Sequence, residues 1–403
     1  MNDTTASHHR PDLRALAERY RAFAVHQAAD TSPTLRRWAE TVADDPALLA
    51  PLASLPPGKQ QPNLVFASAR WHGARPGDAD SLRDLFATRW PAFAATVRTR
   101  ATQTNEPARC GAILLGLQRI EGPIALLEIG ASAGLCLIPE RYSYEFNGAA
   151  RSEAVSGVGG PAGGAGPVTG GAGPTNGAEP VSRAARPVNG ARPVNEPGPM
   201  SEAAKPLSGP AGPVSGAEPK SGAGPTSEAA RSVTLDIRLG PGLAPPAAMP
   251  DIVWRAGLDL HPLDPADPDS LAWLRALVWP EHEARRARLT AAAALVAEEG
   301  VRVTAGDLMT ADLARPAAGA PRDATLVVMH SATLAYLDEP ARRAAVERIG
   351  CLGARRLSFE ARGVDPAVPR VDVPLTPDTL FVAALDGVPY ALGNGHGTVL
   401  TEP

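Results

Sequence analysis

Cysteine is scarce, and Cys110, Cys136 and Cys351 are the three present in 403 residues. They are far apart, odd in number and set among apolar neighbours, which excludes a disulfide framework and suits reduced thiols in a cytoplasmic protein. None of the close Cys/His spacings of a zinc site occurs, so no metal is expected. Long apolar runs are missing too: nothing approaches the roughly 18 residues of a membrane span, and the polar start of the chain has no secretory apolar segment. Charge of one sign is not in excess. With 39 Lys and Arg against 43 Asp and Glu, the net charge of -4 gives no general attraction to nucleic acid or to an anionic membrane. What remains is 44% hydrophobic residues over a length that builds one large or two ordinary domains.

The most informative stretch is Leu126-Leu-Glu-Ile-Gly-Ala-Ser-Ala-Gly-Leu135. It reads as a buried parallel strand, a turn of small residues and the start of a helix. Gly130 and Gly134 remove side-chain bulk where the backbone turns and where a ligand approaches it. A dinucleotide G-x-G-x-x-G would need glycine at Ser132 and Leu135, and a phosphate-cradling loop would need a following Gly-Lys-Ser/Thr. Neither is present.

Along the chain, residues 11–121 read as an all-helical cap. Leu13, Leu16, Ala17, Tyr20, Phe23 and Ala24 form one apolar stripe, Ser32-Pro33 and Asp45-Pro46 are helix starts, and a further helix is expected over 82–100. From 122 onward, short apolar runs alternate with helices, the pattern of a parallel α/β sheet. Strands are expected at 124–129, 233–239, 252–260, 301–307, 324–330 and 355–362, helices over 271–300 and 339–349, and a closing hairpin about Asp386-Gly387. Residues 149–231 interrupt this order. They hold no aromatic residue and consist of loose repeats rich in Gly, Pro, Ala and Ser, too poor in apolar surface to offset the entropy of ordering. A disordered insertion is expected there, because the units are too short and proline-rich to stack as a solenoid.

Glu128, Gly130, Ser132 and Gly134 resemble the first motif of class I S-adenosylmethionine-dependent methyltransferases, with serine in place of the middle glycine. The run of parallel strands with a terminal antiparallel hairpin over 122–148 and 232–403 resembles the same fold, a doubly wound sheet. The resemblance implies S-adenosylmethionine as cofactor, with Glu128, Gly130, Ser132 and Gly134 along its methionine and ribose. It also implies Asp259 on the ribose hydroxyls, with Asp264 as the rival, and Asp307 on the adenine amino group. Each of these acids has an alternative as a turn or loop cap. His330 falls where such enzymes face the methyl acceptor, as a base or as a structural histidine. Tyr336 would wall the pocket or merely pack. Gln103, Asn105, Glu106 and Arg109 would meet the substrate or the cofactor carboxylate, or else Thr104 or Asn105 caps a helix. His396, in a glycine-rich turn, would approach the site or simply belong to the turn.

Lys59-Gln-Gln-Pro-Asn-Leu64, Thr102-Gln-Thr-Asn-Glu106, Gly257-Leu-Asp-Leu260, Pro262-Leu-Asp264, Leu274-Arg-Ala-Leu-Val-Trp-Pro280 and His330-Ser331 with Tyr336-Leu337 resemble a bacterial domain-of-unknown-function family, number 2332. That family brings no assigned activity. The expected function is methyl transfer to a small-molecule acceptor, with a non-catalytic S-adenosylmethionine or nucleotide-binding protein as alternative and an NAD(P)-dependent oxidoreductase as a second. The acceptor and the oligomeric state are not readable from the residues.

Overall fold

A computed structural model describes residues 12–103, 105–148 and 233–403. The low-complexity segment expected to be disordered lies outside the described residues, as does Thr104. The described residues belong to one compact unit with separate helical and sheet cores.

Helices α1 (Leu13–Phe23), α2 (Pro33–Asp44), α3 (Pro46–Ala53), α4 (Pro62–Trp71) and α5 (Ala79–Thr99) begin as local chemistry dictates. The carboxylates of Asp12, Asp45 and Asp78 and the hydroxyl of Ser32 accept from first-turn amides, and proline opens α2, α3 and α4. Their apolar faces bury Tyr20, Trp38, Phe66 and Phe93, each side chain contributing about 1.5–3 kcal/mol relative to exposure. Helix α5 kinks at Arg89, just before Pro91, whose missing amide and ring bulk break the ladder. Helix α6 (Cys110–Leu117) is buried on every side and packs into the sheet core rather than with α1 to α5.

The strands β1 (Ile124–Ile129), β2 (Ser143–Asn147), β3 (Thr234–Leu239), β4 (Ile252–Asp259), β5 (Val303–Ala305), β6 (Thr325–Ser331), β7 (Arg355–Ala361), β8 (Phe381–Leu385), β9 (Val388–Gly393) and β10 (Val399–Thr401) form one mostly parallel sheet. Its order is β2-β3-β10-β9-β8-β7-β6-β1-β4-β5. Strands β5, β4, β1, β6 and β7 run parallel, whereas β8 is antiparallel to both β7 and β9. Helices α7 (Pro268–Leu277), α8 (Glu283–Glu299) and α10 (Glu339–Gly350) connect or flank the strands, and α9 (Ala314–Ala317) is a single turn. β1 is buried at every position, as a central strand covered on both faces must be. Leu126 packs with α6 and α8 on one face, while Leu127 and Ile129 pack with α10 on the other. Strand alternation therefore puts Glu128 on the α6 side.

Three expectations are corrected. No helix follows the glycine corner: residues 130–138 run through buried turns to one 3-10 turn, Pro139–Arg141, and then into β2. The sheet has ten strands rather than six and a hairpin: the short β2 is added in parallel beside the expected β3, and the pair extends the sheet through β10. The last strand of the expected hairpin is split by a turn over 394–398 into β9 and β10. No helix among the described residues is long and apolar enough to cross a membrane.

Candidate functional site at the carboxyl ends of the central strands

In parallel ladders, strands β1, β4 and β5 end side by side: Glu128 lies opposite Gly257, and Asp259 opposite Ala305. Three carboxylates, Glu128, Asp259 and Asp307, therefore stand at the ends of three adjacent strands, where an open α/β sheet holds its ligands. Gly257 has no side chain because a Cβ there would lie 2.7 Å from that of Ala131. Small residues let the corner settle onto the neighbouring strand.

The corner itself is a run of left-handed backbone, with φ of 75° at Gly130, 51° at Ser132 and 73° at Gly134. Serine thus occupies the glycine position of the motif in a glycine-like conformation, at a cost of roughly 1–2 kcal/mol. Hydrogen bonds offset that cost. The Ser132 amide donates to Asp259 Oδ2 at 2.8 Å, its hydroxyl accepts from Asn105 Nδ2 at 2.8 Å, and its carbonyl accepts from the Leu263 amide at 3.1 Å. Asn105 Oδ1 also accepts from the Ala133 amide. Asp259 Oδ1 takes the His261 amide at 2.7 Å, so each carboxylate oxygen has one backbone donor and keeps a second acceptor position. Asp264, the rival, accepts from the Ala266 amide within its own turn.

Glu128 is the unusual member. It is 4% exposed, and its Oε2 has no hydrogen-bond partner. Burial, with Cys136 and Asp259 adding and Arg109 opposing, pushes its carboxyl well above the usual carboxylate range. Asp307 is half-buried and takes the Met309 amide at Oδ1.

Thr333 covers the sheet-side face of the corner. A Cβ on Gly130 would lie 2.3 Å from Thr333 Oγ1, which donates to the Ile129 carbonyl at 3.2 Å. Gly130→Ala combines this clash with a left-handed φ and should cost about 2–4 kcal/mol in urea unfolding. A loss of only about 1 kcal/mol, the strain of the left-handed φ alone, would mean that Thr333 swings aside.

His330 is not at the rim. Its side chain is 0% exposed, with Nδ1 2.8 Å from Glu360 Oε1 and Nε2 3.2 Å from Arg356 NH1. A guanidinium can only donate, so Nε2 accepts and Nδ1 carries the proton given to Glu360. Arg356 is paired in turn with Asp365 at 2.5 Å. In place of a base facing an acceptor, His330 is one link of a buried network. Tyr336, a few residues on, is exposed.

Gln103 and residues 105–109 come in over the corner. Gln103 Nε2 donates to the His261 carbonyl at 2.6 Å, and Asn105 braces the turn as described. Glu106 is buried, caps the 3-10 turn Pro107–Arg109 through the Ala108 amide, and meets Arg285 at 2.5 Å and Arg288 at 3.1 Å. Burial alone would raise its pKa, but Arg285 and Arg288 outweigh that and hold it low. Arg109 Nε donates to the Gly395 carbonyl at 3.0 Å, and NH1 reaches Ser331 at 3.3 Å. Reading the residues in order missed Arg285 and Arg288. Their i,i+3 spacing on α8 is the one available signal, and it is common on solvated helices. Among the described residues no group of three His, Cys, Asp or Glu side chains is arranged to hold a metal ion.

These features define an α/β protein with a mostly parallel sheet, whose central strands end in a carboxylate-rich, glycine-turned edge. The chain belongs to the family described as an uncharacterized protein conserved in bacteria (DUF2332), whose family model matches residues 17–167 and 215–399. The unmatched 168–214 fall within the low-complexity segment. Searches of curated proteins and of solved structures each found no match.

Proposed function

We propose that the ends of β1, β4 and β5 bind S-adenosylmethionine and that the protein transfers its methyl group to a small acceptor. The observation that carries this reading is the set Glu128, Asp259 and Asp307 on three adjacent parallel strand ends around a positive-φ corner. The order β5-β4-β1-β6-β7 supports it, being the third-second-first-fourth-fifth order of the class I methyltransferase sheet.

The residues present suit the group. Asp259 keeps an acceptor position on each oxygen for the two ribose hydroxyls, and the exposed Leu260 beside it offers an apolar surface to adenine. Asp307 would accept from the adenine amino group, and the unsatisfied oxygen of Glu128 would accept from the ligand's ammonium. Thr333 and Asn105 already occupy the inside of the turn, so the ligand would lie along the strand ends rather than within the corner. When bound, the group supplies an electrophilic methyl carbon, and the chain's contribution is alignment.

A non-catalytic S-adenosylmethionine-binding protein is the second reading, favoured by the burial of His330 away from the rim. Calorimetric titration with S-adenosylmethionine, its demethylated product and NAD tests the site. Saturable binding of the first two is expected, weakened at least about tenfold by Asp259→Ala through loss of charge-assisted hydrogen bonds. Preference for NAD, or unchanged affinity in both Asp259→Ala and Asp307→Ala, would sink the proposal. Transfer of a labelled methyl group to cell extract separates the enzyme from the binding protein.

A further inference from the structure

Beside the glycine corner, residues 105–109, the first turns of α8 and the 393–397 turn meet in a cluster of charge whose Arg285, Arg288 and His396 the reading above does not use. Glu106, Arg109, His282, Arg285, Arg288 and His396 face one another there. The turn is pressed close, since a Cβ on Gly397 would sit 2.7 Å from Arg109 Cα. Three guanidiniums meet one ionised carboxylate in Glu106. Arg285 and Arg288 lie at ion-pair distance from the same Glu106 carboxylate, two positive charges against one negative.

The surplus is reachable and incompletely bonded. The Arg285 and Arg288 side chains are 17% and 24% exposed, and His396 is exposed beside them. The Nε atoms of both arginines and Oε2 of Glu106 are sealed from solvent without a properly directed partner, so the exposure of each arginine lies elsewhere along its side chain. The Arg285 Nε to Glu106 Oε2 approach of 2.5 Å is short but poorly aimed. Two forks that one carboxylate only half satisfies form a receptor for a second. The imidazoles do not compete for that role. Partial desolvation, then Arg285, holds His396 down at about 4, and the same two causes lower His282, so both are neutral near pH 7.

We propose that Arg285 and Arg288, with His396 at the rim, bind the carboxylate group of a small molecule. A carboxylate group is favoured over a phosphate dianion because it brings a single negative charge to the two guanidiniums, any second carboxylate of the ligand staying in solvent, whereas a phosphate concentrates both of its charges against Glu106. The proposal rests on the guanidinium cluster and not on the adenosyl reading.

The test is a proton NMR titration of the histidine ring resonances of the full chain with sodium succinate, at constant ionic strength and without S-adenosylmethionine. The His396 signal should shift saturably and its pKa should rise by about one unit, as expected when an anion arrives within a few ångströms. Arg288→Gln should abolish the saturable shift. Glu106→Gln, which removes the internal rival, should tighten succinate binding about tenfold or more. A non-saturating shift, an equal response in Arg288→Gln, weaker binding in a folded Glu106→Gln, or tighter binding of inorganic phosphate than of succinate would each overturn the proposal. Should Glu106→Gln fail to fold, Arg288→Lys decides: it keeps the charge but loses the fork, and wild-type affinity there would overturn the carboxylate geometry. Because the adenosyl donor is left out, failure here leaves the strand-end site standing, and failure there leaves this one.

Discussion

Glu128→Gln should stabilise the free protein at neutral pH while removing its affinity for S-adenosylmethionine. The native carboxyl is buried with one oxygen unpartnered, and burial first, then Cys136 and Asp259, raise its pKa well above the ordinary value. For an acid whose folded pKa is raised, stability is fully present below the unfolded pKa of about 4.3 and falls as pH climbs toward the folded value, by about 1.4 kcal/mol per unit. Glutamine has nearly the same shape and nothing to ionise. Urea unfolding from pH 4 to 8 should therefore show variant and wild type with a constant difference below about pH 4 and a widening one above it, in favour of the variant. A gap that stays flat with pH would mean that folding leaves the Glu128 pKa unshifted, and one that moves in favour of the wild type would mean that Glu128 is ionised and paired in the native state. The binding loss has a separate cause, since an amide cannot neutralise an ammonium as a carboxylate does. Gain of stability with loss of binding is the pattern expected where a site holds an uncomfortable group for its ligand.

Glu360→Ala should be the most damaging single change, at about 3–5 kcal/mol, because it strips the acceptor from a buried charged network. Oε1 of Glu360 accepts from His330 Nδ1 at 2.8 Å, from the Thr333 amide at 2.9 Å and from the Leu334 amide at 3.2 Å. Two of these donors are backbone groups of the turn after β6, which carries Ala332 at φ 50° and seats Thr333 on Gly130. Glu360 thus shapes the neighbour of the corner from beneath. Glu360→Gln retains a carbonyl oxygen for the same donors and should lose markedly less than the alanine variant. Equal losses in the two would assign the effect to charge, and a loss under about 1 kcal/mol in Glu360→Ala would mean that water replaces the carboxylate.

Helix starts in the amino-terminal region were legible where their signals are local: Ser32 and Asp45 cap amides two or three residues away, and proline opens the next turn. The core strands were legible for a similar reason, since a fully buried strand such as β1 must be an unbroken apolar run. The helix expected after Gly134 was not there. Small residues at 130–134 allow either a helix or a succession of turns, and the choice is made by Asn105 and Asp259, which take the corner's amides from 28 and 127 residues away. The surroundings of His330 were not legible for the same reason. Its place at the end of a strand was readable, but Glu360 and Arg356, which claim its two nitrogens, lie on β7.

The order of residues by itself determined where the amino-terminal helices and the central strands lie, that a glycine-bracketed corner follows the central strand, and that Asp259 and Asp307 close the strands beside it, because periodicity and capping act within a few residues. Only the tertiary structure decided which carboxylate is left unsatisfied, which histidine is sealed inside, and which arginines gather around Glu106. Those outcomes depend on desolvation and on partners brought together across the sheet, and neither quantity exists until the chain has closed around them.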